Sequence, residues 1–317
     1  MCLLTANAFA QPADPEKLIE AGHWKQARTV VEARLRQAPD DAPSNFFLSQ
    51  IRNAFGDYTT PETLAERAVA LDGRVAKYHR QLAEVLGVKA QHAGPIQLLF
   101  LARKFRKEID TAIGLDPKDL QALRDLMEFY LLAPGIGGGD PEKAAEIAER
   151  IAALDTAEGF LAKARLASFH KQPGQAEALL RKAAAVQPAS YRAQIELAHF
   201  GLNAEDAAKD AMKIDQSRAE PYSILAEIYA RRGAWMELEA LLTEAVRQNP
   251  DDLVPYYRAA CVLLASGRDP ARAEGYLRKY LSWATSQEPE GNEPSAAEAR
   301  QKLANGVRQN LWSKKSL

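Results

Sequence analysis

The segment from Phe129 to Glu146, FYLLAPGIGGGDPEKAAE, is the only glycine-dense stretch of this 317-residue chain. Glycine-rich loops that open a helix often bind phosphate groups, because their exposed amides point at the anion. Here no strand candidate precedes the loop, GIGGGD breaks the G-x-G-x-x-G pattern at its last position, and no Gly-Lys-Ser/Thr follows. We therefore expect a structural loop and no nucleotide site.

Other side chains that support catalysis or metal binding are scattered along the chain. The five histidines form neither an H-E-x-x-H motif nor an i, i+4 pair, and the G-x-S-x-G signature is absent. Cys2 and Cys261 are too far apart in sequence for a zinc or redox motif. Cys261 has apolar neighbours on a predicted helix, which favours a buried, unreactive thiol. We expect no catalytic residue, no metal and no cofactor.

The charge balance gives no sign of a polyanionic partner. Lys plus Arg (41) nearly cancel Asp plus Glu (42), for a net charge of -1. The basic run RKFRK at 103–107 alternates with apolar residues at helical spacing, which is typical of a solvated helix face beside a core stripe. We expect no nucleic-acid partner. No apolar run approaches the roughly 20 residues of a membrane span, so we expect no integral membrane segment.

Amphipathic helix patterns recur along the chain, and no strand pattern competes with them. Helix ends marked by Pro, Gly or a polar residue are spaced by 34, 44, 39, 32, 28 and 34 residues, at Pro39, Gly73, Pro117, Thr156, Pro188, Gln216 and Pro250. A period near 34 indicates stacked helical hairpins, because a single hairpin cannot bury its apolar face alone.

The chain resembles the tetratricopeptide repeat family over nearly its whole length. The best unit is 219–250, where Leu238 departs from the family's preference for alanine and the matching positions are Tyr222, Leu225, Ala226, Tyr229, Gly233, Ala245 and Pro250. The resemblance implies an all-α, right-handed superhelical solenoid of about seven to eight hairpins with a C-terminal capping helix from about Ser295. The expected organisation is a signal-peptide remnant at 1–10, the solenoid at 11–284, and a loop, capping helix and frayed tail at 285–317.

Two units are longer than the repeat. Unit 74–117 carries ten extra residues, which we expect to lengthen both of its helices and to project an apolar tip around Ile96–Leu101. Unit 118–156 carries five, in the turn between its two helices. We expect Ile136 to pack on that tip, Asp140 to cap the next helix, and backbone freedom to come from Gly135, Gly137, Gly138 and Gly139.

The family resemblance implies a non-enzymatic scaffold that binds a protein or peptide on its concave face. The pattern places these side chains there: Lys77, Arg80, Glu84, Arg124, Glu128, Glu220, Ser223, Glu227, Arg231 and Tyr257. Tyr257 and Arg231 are the strongest hot-spot candidates, because Tyr and Arg are enriched in hot spots. Two alternatives stay open: binding at the edge formed by the 92–96 turn and the 133–140 loop, and a ligand-binding or enzymatic groove.

The N-terminal residues suggest export. Ala8-Phe9-Ala10 followed by Gln11 is an A-x-A cleavage pattern, which we interpret as the tail of a secretory signal. The chain also resembles uncharacterised exported bacterial tetratricopeptide proteins that carry an APGIxGG block. We therefore expect a periplasmic protein, or a cytoplasmic one if residues 1–10 are not a signal remnant. The sequence leaves the partner's identity and the oligomeric state open.

Overall fold

A computed structural model describes residues 13–57, 59–284 and 294–315, with side chains described for 13–57, 59–282 and 294–305. Within these residues the chain forms α-helices and one 3-10 turn, Gly135–Gly137, with no strand. The helices are α1 (Pro15–Ala21), α2 (Trp24–Gln37), α3 (Ala42–Ala54), α4 (Thr60–Leu71), α5 (Ala76–Gln91), α6 (Pro95–Leu115), α7 (Leu120–Leu132), α8 (Pro141–Leu154), α9 (Thr156–Phe169), α10 (Pro173–Ala184), α11 (Tyr191–His199), α12 (Ala204–Ile214), α13 (Glu220–Arg232), α14 (Trp235–Gln248), α15 (Val254–Ser266), α16 (Pro270–Ala284) and α17 (Ala296–Lys315).

Successive helices pack in pairs, from α1 with α2 to α15 with α16, so the described residues form eight hairpins. The odd-numbered helices are the A helices and the even-numbered ones the B helices. α17 packs on α16 and α15 as a cap, and it continues to Lys315, into the segment expected to be frayed. The helical solenoid predicted from the repeat spacing is therefore confirmed. The predicted signal remnant at 1–10 and the loop residues 285–293 lie outside the described residues.

Proline and aspartate fix where the helices begin. Pro61, Pro141 and Pro221 occupy first-turn positions, where the missing amide hydrogen has no intrahelical partner to lose. Asp41 and Asp119 are N-caps whose carboxylates accept hydrogen bonds from free amides of the first turn. These local signals set the hairpin boundaries that the sequence spacing predicted.

Close crossing of the helices depends on small buried residues. In the best-matching hairpin, Ala226 is fully buried and Ala245 is 2% exposed, as the repeat pattern requires. Tyr222 is also fully buried, and its hydroxyl donates a hydrogen bond to the Gln216 carbonyl at 3.0 Å. Leu238, which departs from the family pattern, is nonetheless completely buried. A leucine in place of the family's alanine therefore adds volume at this position, and the side chain still packs in the core.

The third hairpin projects mainly through its B helix. α6 has 21 residues, six more than the 15 of α16, the next longest B helix, whereas α5 has 16 residues against 14 for α9. Both helices are therefore lengthened, as expected, but α6 takes most of the extra residues. Six residues add about 9 Å of helix. The projecting first two turns of α6 leave Ile96 90% exposed and Phe100 58% exposed.

The glycine loop touches the projecting helix through a glycine. A Cβ placed on Gly137 would lie 3.6 Å from Leu99 Cδ2 and 3.9 Å from the Ala102 Cβ, so this backbone lies directly on α6. Ile136 is 84% exposed, so the prediction that it packs on the apolar tip is wrong. The reason is the 3-10 turn at Gly135–Gly137, which directs Gly137 towards α6 and Ile136 away from it.

The remaining glycines of the loop differ in their importance. Gly138 has a φ of +103°, and a Cβ on Gly139 would meet the Ala133 carbonyl oxygen at 1.8 Å, so a side chain is excluded at Gly139 and strained at Gly138. Gly135 has open space around it. Asp140 caps α8 by accepting hydrogen bonds from the amides of Glu142 and Lys143, as predicted.

The first hairpin returns to the seventh and eighth. His23 Nδ1 lies 2.7 Å from Asp251 Oδ1, although the two residues are 228 positions apart in sequence. Lys25 is buried nearby with 6% of its surface exposed. The stack therefore completes a turn, and its N-terminal end closes against the junction between α14 and α15. The helix pattern predicts a solenoid but contains no signal for this closure.

Candidate functional site

The inner face of the solenoid is lined by the A helices, and ion pairs connect them across it. All but one of these pairs join neighbouring A helices, and the exception, Lys77–Glu16, joins α5 to α1. Each pair joins one hairpin to another, so these side chains first serve the stack itself. The pairs are Lys77–Glu16, Arg80–Asp119, Arg124–Glu158, Arg192–Glu158, Arg165–Glu128 and Arg258–Glu227.

Three of the predicted binding residues are held firmly in this network. Arg80 Nε donates to Asp119 Oδ2 at 3.0 Å, and Arg124 donates to Glu158 at 2.9 Å. Glu128 accepts two hydrogen bonds from Arg165, at 2.7 and 2.8 Å. A partner that bound these groups would have to replace an existing ion pair. Sequence reasoning missed the partners of these residues, because they lie 34 to 39 residues away on the next hairpin.

Tyr257 lies beneath the capping helix and not on an open groove surface. Its side chain is 4% exposed, its ring packs 5.3 Å from that of Tyr280, and its hydroxyl donates to Glu298 Oε1 at 2.5 Å. The expectation that Tyr257 is an accessible hot spot therefore does not match its position. The physical reason is α17, which takes the place of a further A helix and covers this ring. Next to it, burial raises the pKa of the Cys261 thiol, which makes the thiol less reactive at neutral pH.

Four predicted residues of α13 do converge, on a cavity of about 830 Å³ that we call the chamber. One wall consists of Glu220, Ser223, Glu227 and Arg231, with the half-buried apolar side chains of the same helix between them. The opposite wall belongs to the first hairpin and includes Ile19 and Trp24, together with further lining residues from α11 and α15: Tyr191, His199, Val254 and Arg258. The chamber exists only because the first hairpin closes against the seventh and eighth.

Some of the chamber's polar side chains already have a hydrogen-bond or ion-pair partner within the protein, and others do not. Glu220 accepts a hydrogen bond from His199 at 2.8 Å, and Glu227 lies 3.8 Å from Arg258. Arg231 is exposed, and no ion pair joins its guanidinium to another residue that the structure describes. An exposed, unpaired guanidinium next to apolar side chains is a favourable anchor for a partner's carboxylate or carbonyl groups.

Charged and titratable side chains lie at the contact that closes the chamber. The hydrogen bond to Asp251 raises the pKa of His23, against the opposing effect of its burial. Burial also raises the pKa of Asp252, which lines the chamber beside Asp251. Protonated His23 therefore holds the first hairpin against the α14–α15 junction by a charge-assisted hydrogen bond.

A second concavity, of about 590 Å³, lies between α5 and α7 near the glycine loop. We call it the α5–α7 groove. The predicted residues Glu84 and Glu128 line it, together with Asp125, which sequence reasoning did not single out. The sequence does not mark Asp125 as a groove residue. An aspartate on an amphipathic helix such as α7 normally lies on the solvated face, and nothing in the sequence distinguishes Asp125 from that case.

Two negative findings apply to the described part of the chain. No group of three or more His, Cys, Asp or Glu side chains there is arranged to hold a metal ion. Of the helices searched over the same residues, none is both long enough and apolar enough to cross a bilayer.

Solved structures with the same helical architecture were found by comparison. Yeast Tom70 superimposes with a TM-score of 0.56 and 13% sequence identity, covering 98% of this chain and 67% of Tom70. TTC0263, a thermophilic TPR protein from Thermus thermophilus, superimposes with a TM-score of 0.52 and 19% identity, covering 59% of this chain and 94% of that protein.

The chain has the tetratricopeptide repeat fold. No protein-family model and no curated protein sequence matches it. At identities below 20%, the structural likeness shows the tetratricopeptide architecture and carries no residue-level function. The function must therefore be argued from the chain's own surfaces.

Proposed function

We propose that this protein is a non-enzymatic scaffold that binds a protein or peptide partner in the chamber. The observation that carries the proposal is the convergence of Arg231, Ser223 and Glu227 from α13 on an open cavity with mixed apolar and polar walls. A volume of about 830 Å³ lies within the roughly 300–1,000 Å³ of typical binding pockets. The near-zero net charge supports a protein partner over a nucleic acid.

Charge reversal and steric filling of the chamber test this proposal. Affinity capture from cells would compare the wild-type chain with Arg231→Glu and with Ser223→Trp, each with its folding checked by circular dichroism. We expect both variants to lose the same partner. Arg36→Glu is the matched control, because Arg36 is an exposed arginine of α2, outside the chamber. An unchanged partner set in both chamber variants would contradict the proposal.

A second candidate is binding at the edge formed by the projecting hairpin and the glycine loop. The observation in its favour is that Ile96, Phe100, Leu132 and Ile136 are all more than half exposed there. Large exposed apolar patches commonly mark interaction sites, since apolar area left in water costs about 25 cal/mol per Å². Ile136→Ser with Phe100→Ser is expected to remove an edge partner at unchanged melting temperature. Retention of every partner would exclude the edge.

We also propose export to the periplasm, on the basis of the Ala8-Phe9-Ala10 pattern followed by Gln11. N-terminal sequencing of the protein from cell fractions tests this. We expect a chain that begins at Gln11 in the periplasmic fraction. A chain that retains residues 1–10 and stays in the cytoplasm would contradict it.

A further inference from the structure

The α5–α7 groove arises because two neighbouring A helices diverge. In the described part of the chain, α5 and α7 contact each other less than any other two neighbouring A helices of the stack. The ion pair between Arg80 of α5 and Asp119, the N-cap of α7, holds their N-terminal ends together. Towards their C-terminal ends the helices separate, and the side chains of α6 become the floor between them.

The floor and outer walls of this groove are apolar and well supported. The rings of Phe105 and Phe129 stack with centroids 5.0 Å apart and an interplanar angle of 13°. A Cβ on Gly87 would lie 3.4 Å from the Phe105 ring, and one on Gly138 would lie 3.4 Å from the Phe129 ring, so backbone packs closely against both. The groove opens towards Leu132, which is 62% exposed. An apolar segment entering here would find a preformed surface.

The inner end of the groove is acidic. Glu84, Asp125 and Glu128 are the only charged side chains among its described lining residues. Glu128 is already paired with Arg165. Among the residues that the structure describes, the one hydrogen-bond donor to Glu84 is the Asn53 amide, at 3.1 Å.

Asp125 is the least satisfied of the three acids. Its Oδ1 accepts from the Gln121 amide at 2.8 Å, whereas its Oδ2 is shielded from solvent and has no hydrogen-bond donor. The nearby guanidinium groups of Arg80 and Arg124 are hydrogen-bonded to other carboxylates. An unpaired buried carboxylate is costly, and a cationic hydrogen-bond donor relieves that cost.

We propose that the α5–α7 groove binds an apolar segment of a partner protein that carries one lysine, with the lysine ammonium placed between Asp125 and Glu84. The apolar side chains of that segment would cover Phe105, Phe129 and Leu132. The inference rests on the second candidate function, binding at the edge, and it specifies the chemistry of the partner. An anionic ligand such as a phosphate or a fatty acid would meet three carboxylates and no unpaired cation at the inner end of the groove.

Fluorescence polarisation with short labelled peptides tests the inference on the full chain. The panel has leucine and phenylalanine at alternating positions and one central residue that is lysine, norleucine or glutamate. We expect the lysine peptide to bind at least about tenfold more tightly than the norleucine peptide, and the glutamate peptide not to bind. Asp125→Asn is expected to lower the affinity for the lysine peptide by about tenfold and to leave the norleucine peptide unaffected.

Three further variants make the test specific. Ala102→Trp fills the groove and should abolish binding of all the peptides, while circular dichroism and the melting temperature report on folding. Glu66→Gln, an exposed carboxylate on α4, should change nothing. Arg231→Glu should leave peptide binding intact while it removes a chamber partner, which separates failure here from failure of the chamber proposal.

Three results would overturn the inference. The first is equal affinity of the wild-type chain for the lysine and norleucine peptides. The second is an undiminished lysine preference in Asp125→Asn. The third is that no panel peptide binds the wild-type chain more tightly than it binds Ala102→Trp.

Discussion

At the scale of single residues, Asp125 shows how burial changes a carboxylate. Burial and the neighbouring Glu84 raise its pKa to about 7, against the opposing effects of Arg80, Gln121 and Arg124. The unfolded chain would ionise this group near its ordinary pKa of about 3.9. The folded protein therefore retains a proton that the unfolded chain releases, and stability falls as the pH rises from about 4 to about 7.

Replacing Asp125 by asparagine should remove this pH dependence. We expect Asp125→Asn to be more stable than the wild-type chain by about 1–3 kcal/mol near pH 8, with the difference disappearing near pH 4. Urea unfolding at both pH values measures it, with Glu66→Gln as the exposed control. A variant that is less stable at both pH values would show that Asp125 is ionised and stabilised in the folded protein.

At Gly139 the surrounding backbone leaves no room for any side chain. A Cβ at this position would overlap the Ala133 carbonyl oxygen, so Gly139→Ala must shift the loop. We expect a loss of about 2 kcal/mol or more in the free energy of unfolding. Gly135→Ala is the matched control, because nothing lies within 4 Å of its Cβ position, and its effect should stay within about 0.5 kcal/mol. Equal stability of the two variants would contradict the structural role of Gly139.

At the scale of elements, α17 ends the stack. It covers the apolar side chains of the last hairpin, α15 and α16, in place of another hairpin. Ala299 is fully buried, and the Tyr280 hydroxyl donates to the Pro294 carbonyl at 2.6 Å. Terminal elements of repeat arrays need one face that packs and one that is solvated. The cap therefore decides that Tyr257, an attractive binding residue in the sequence, belongs to the core.

The hydroxyl of Tyr257 should thus contribute to stability and not to partner binding. Tyr257→Phe removes its hydrogen bond to Glu298, and we expect a loss of about 1–2 kcal/mol. The additional change Glu298→Gln should cost little more, because both changes remove the same interaction. Partner capture should be unchanged in Tyr257→Phe. Loss of the partner with unchanged stability would restore Tyr257 as a binding residue.

At the scale of the whole molecule, the closure between His23 and Asp251 forms the chamber. Because the pKa of His23 is raised in the folded protein, its contribution to stability decreases as the pH rises. The stabilisation from protonated His23 is fully present below its unfolded pKa of about 6.5 and is lost as the pH rises through the higher folded pKa. Lys25 and Asp252 lie in the same contact and carry charges of both signs.

Small-angle X-ray scattering can detect the opening of this contact. We expect the radius of gyration of the wild-type chain to increase between about pH 6 and pH 9, as His23 loses its proton. His23→Ala should be expanded at both pH values, and its chamber partner should bind more weakly. His199→Ala serves as the control for the radius of gyration, since His199 pairs with Glu220 between neighbouring hairpins and not across the closure. A pH-independent radius in the wild-type chain would contradict this role of His23.

The sequence by itself determined the helices, their pairing and the cap. Apolar periodicity, alanine at helix crossings and proline or aspartate at helix starts are local signals, and a repeat needs only its neighbour to be stable. The turn insertion that contains Gly139 and the helix cap at Asp140 could be predicted for the same reason, because both are local.

Only the tertiary structure decided which side chains are available to a partner. Ion pairs between hairpins engage Arg80, Arg124 and Glu128, α17 buries Tyr257, and the divergence of α5 and α7 makes a groove. The contact of His23 with Asp251 joins positions 228 residues apart. The contacts between adjacent hairpins depend on how two neighbours pack, which the helix periodicity does not specify. The closure depends on small angles between hairpins that accumulate along the stack, and no local pattern of residues encodes that sum.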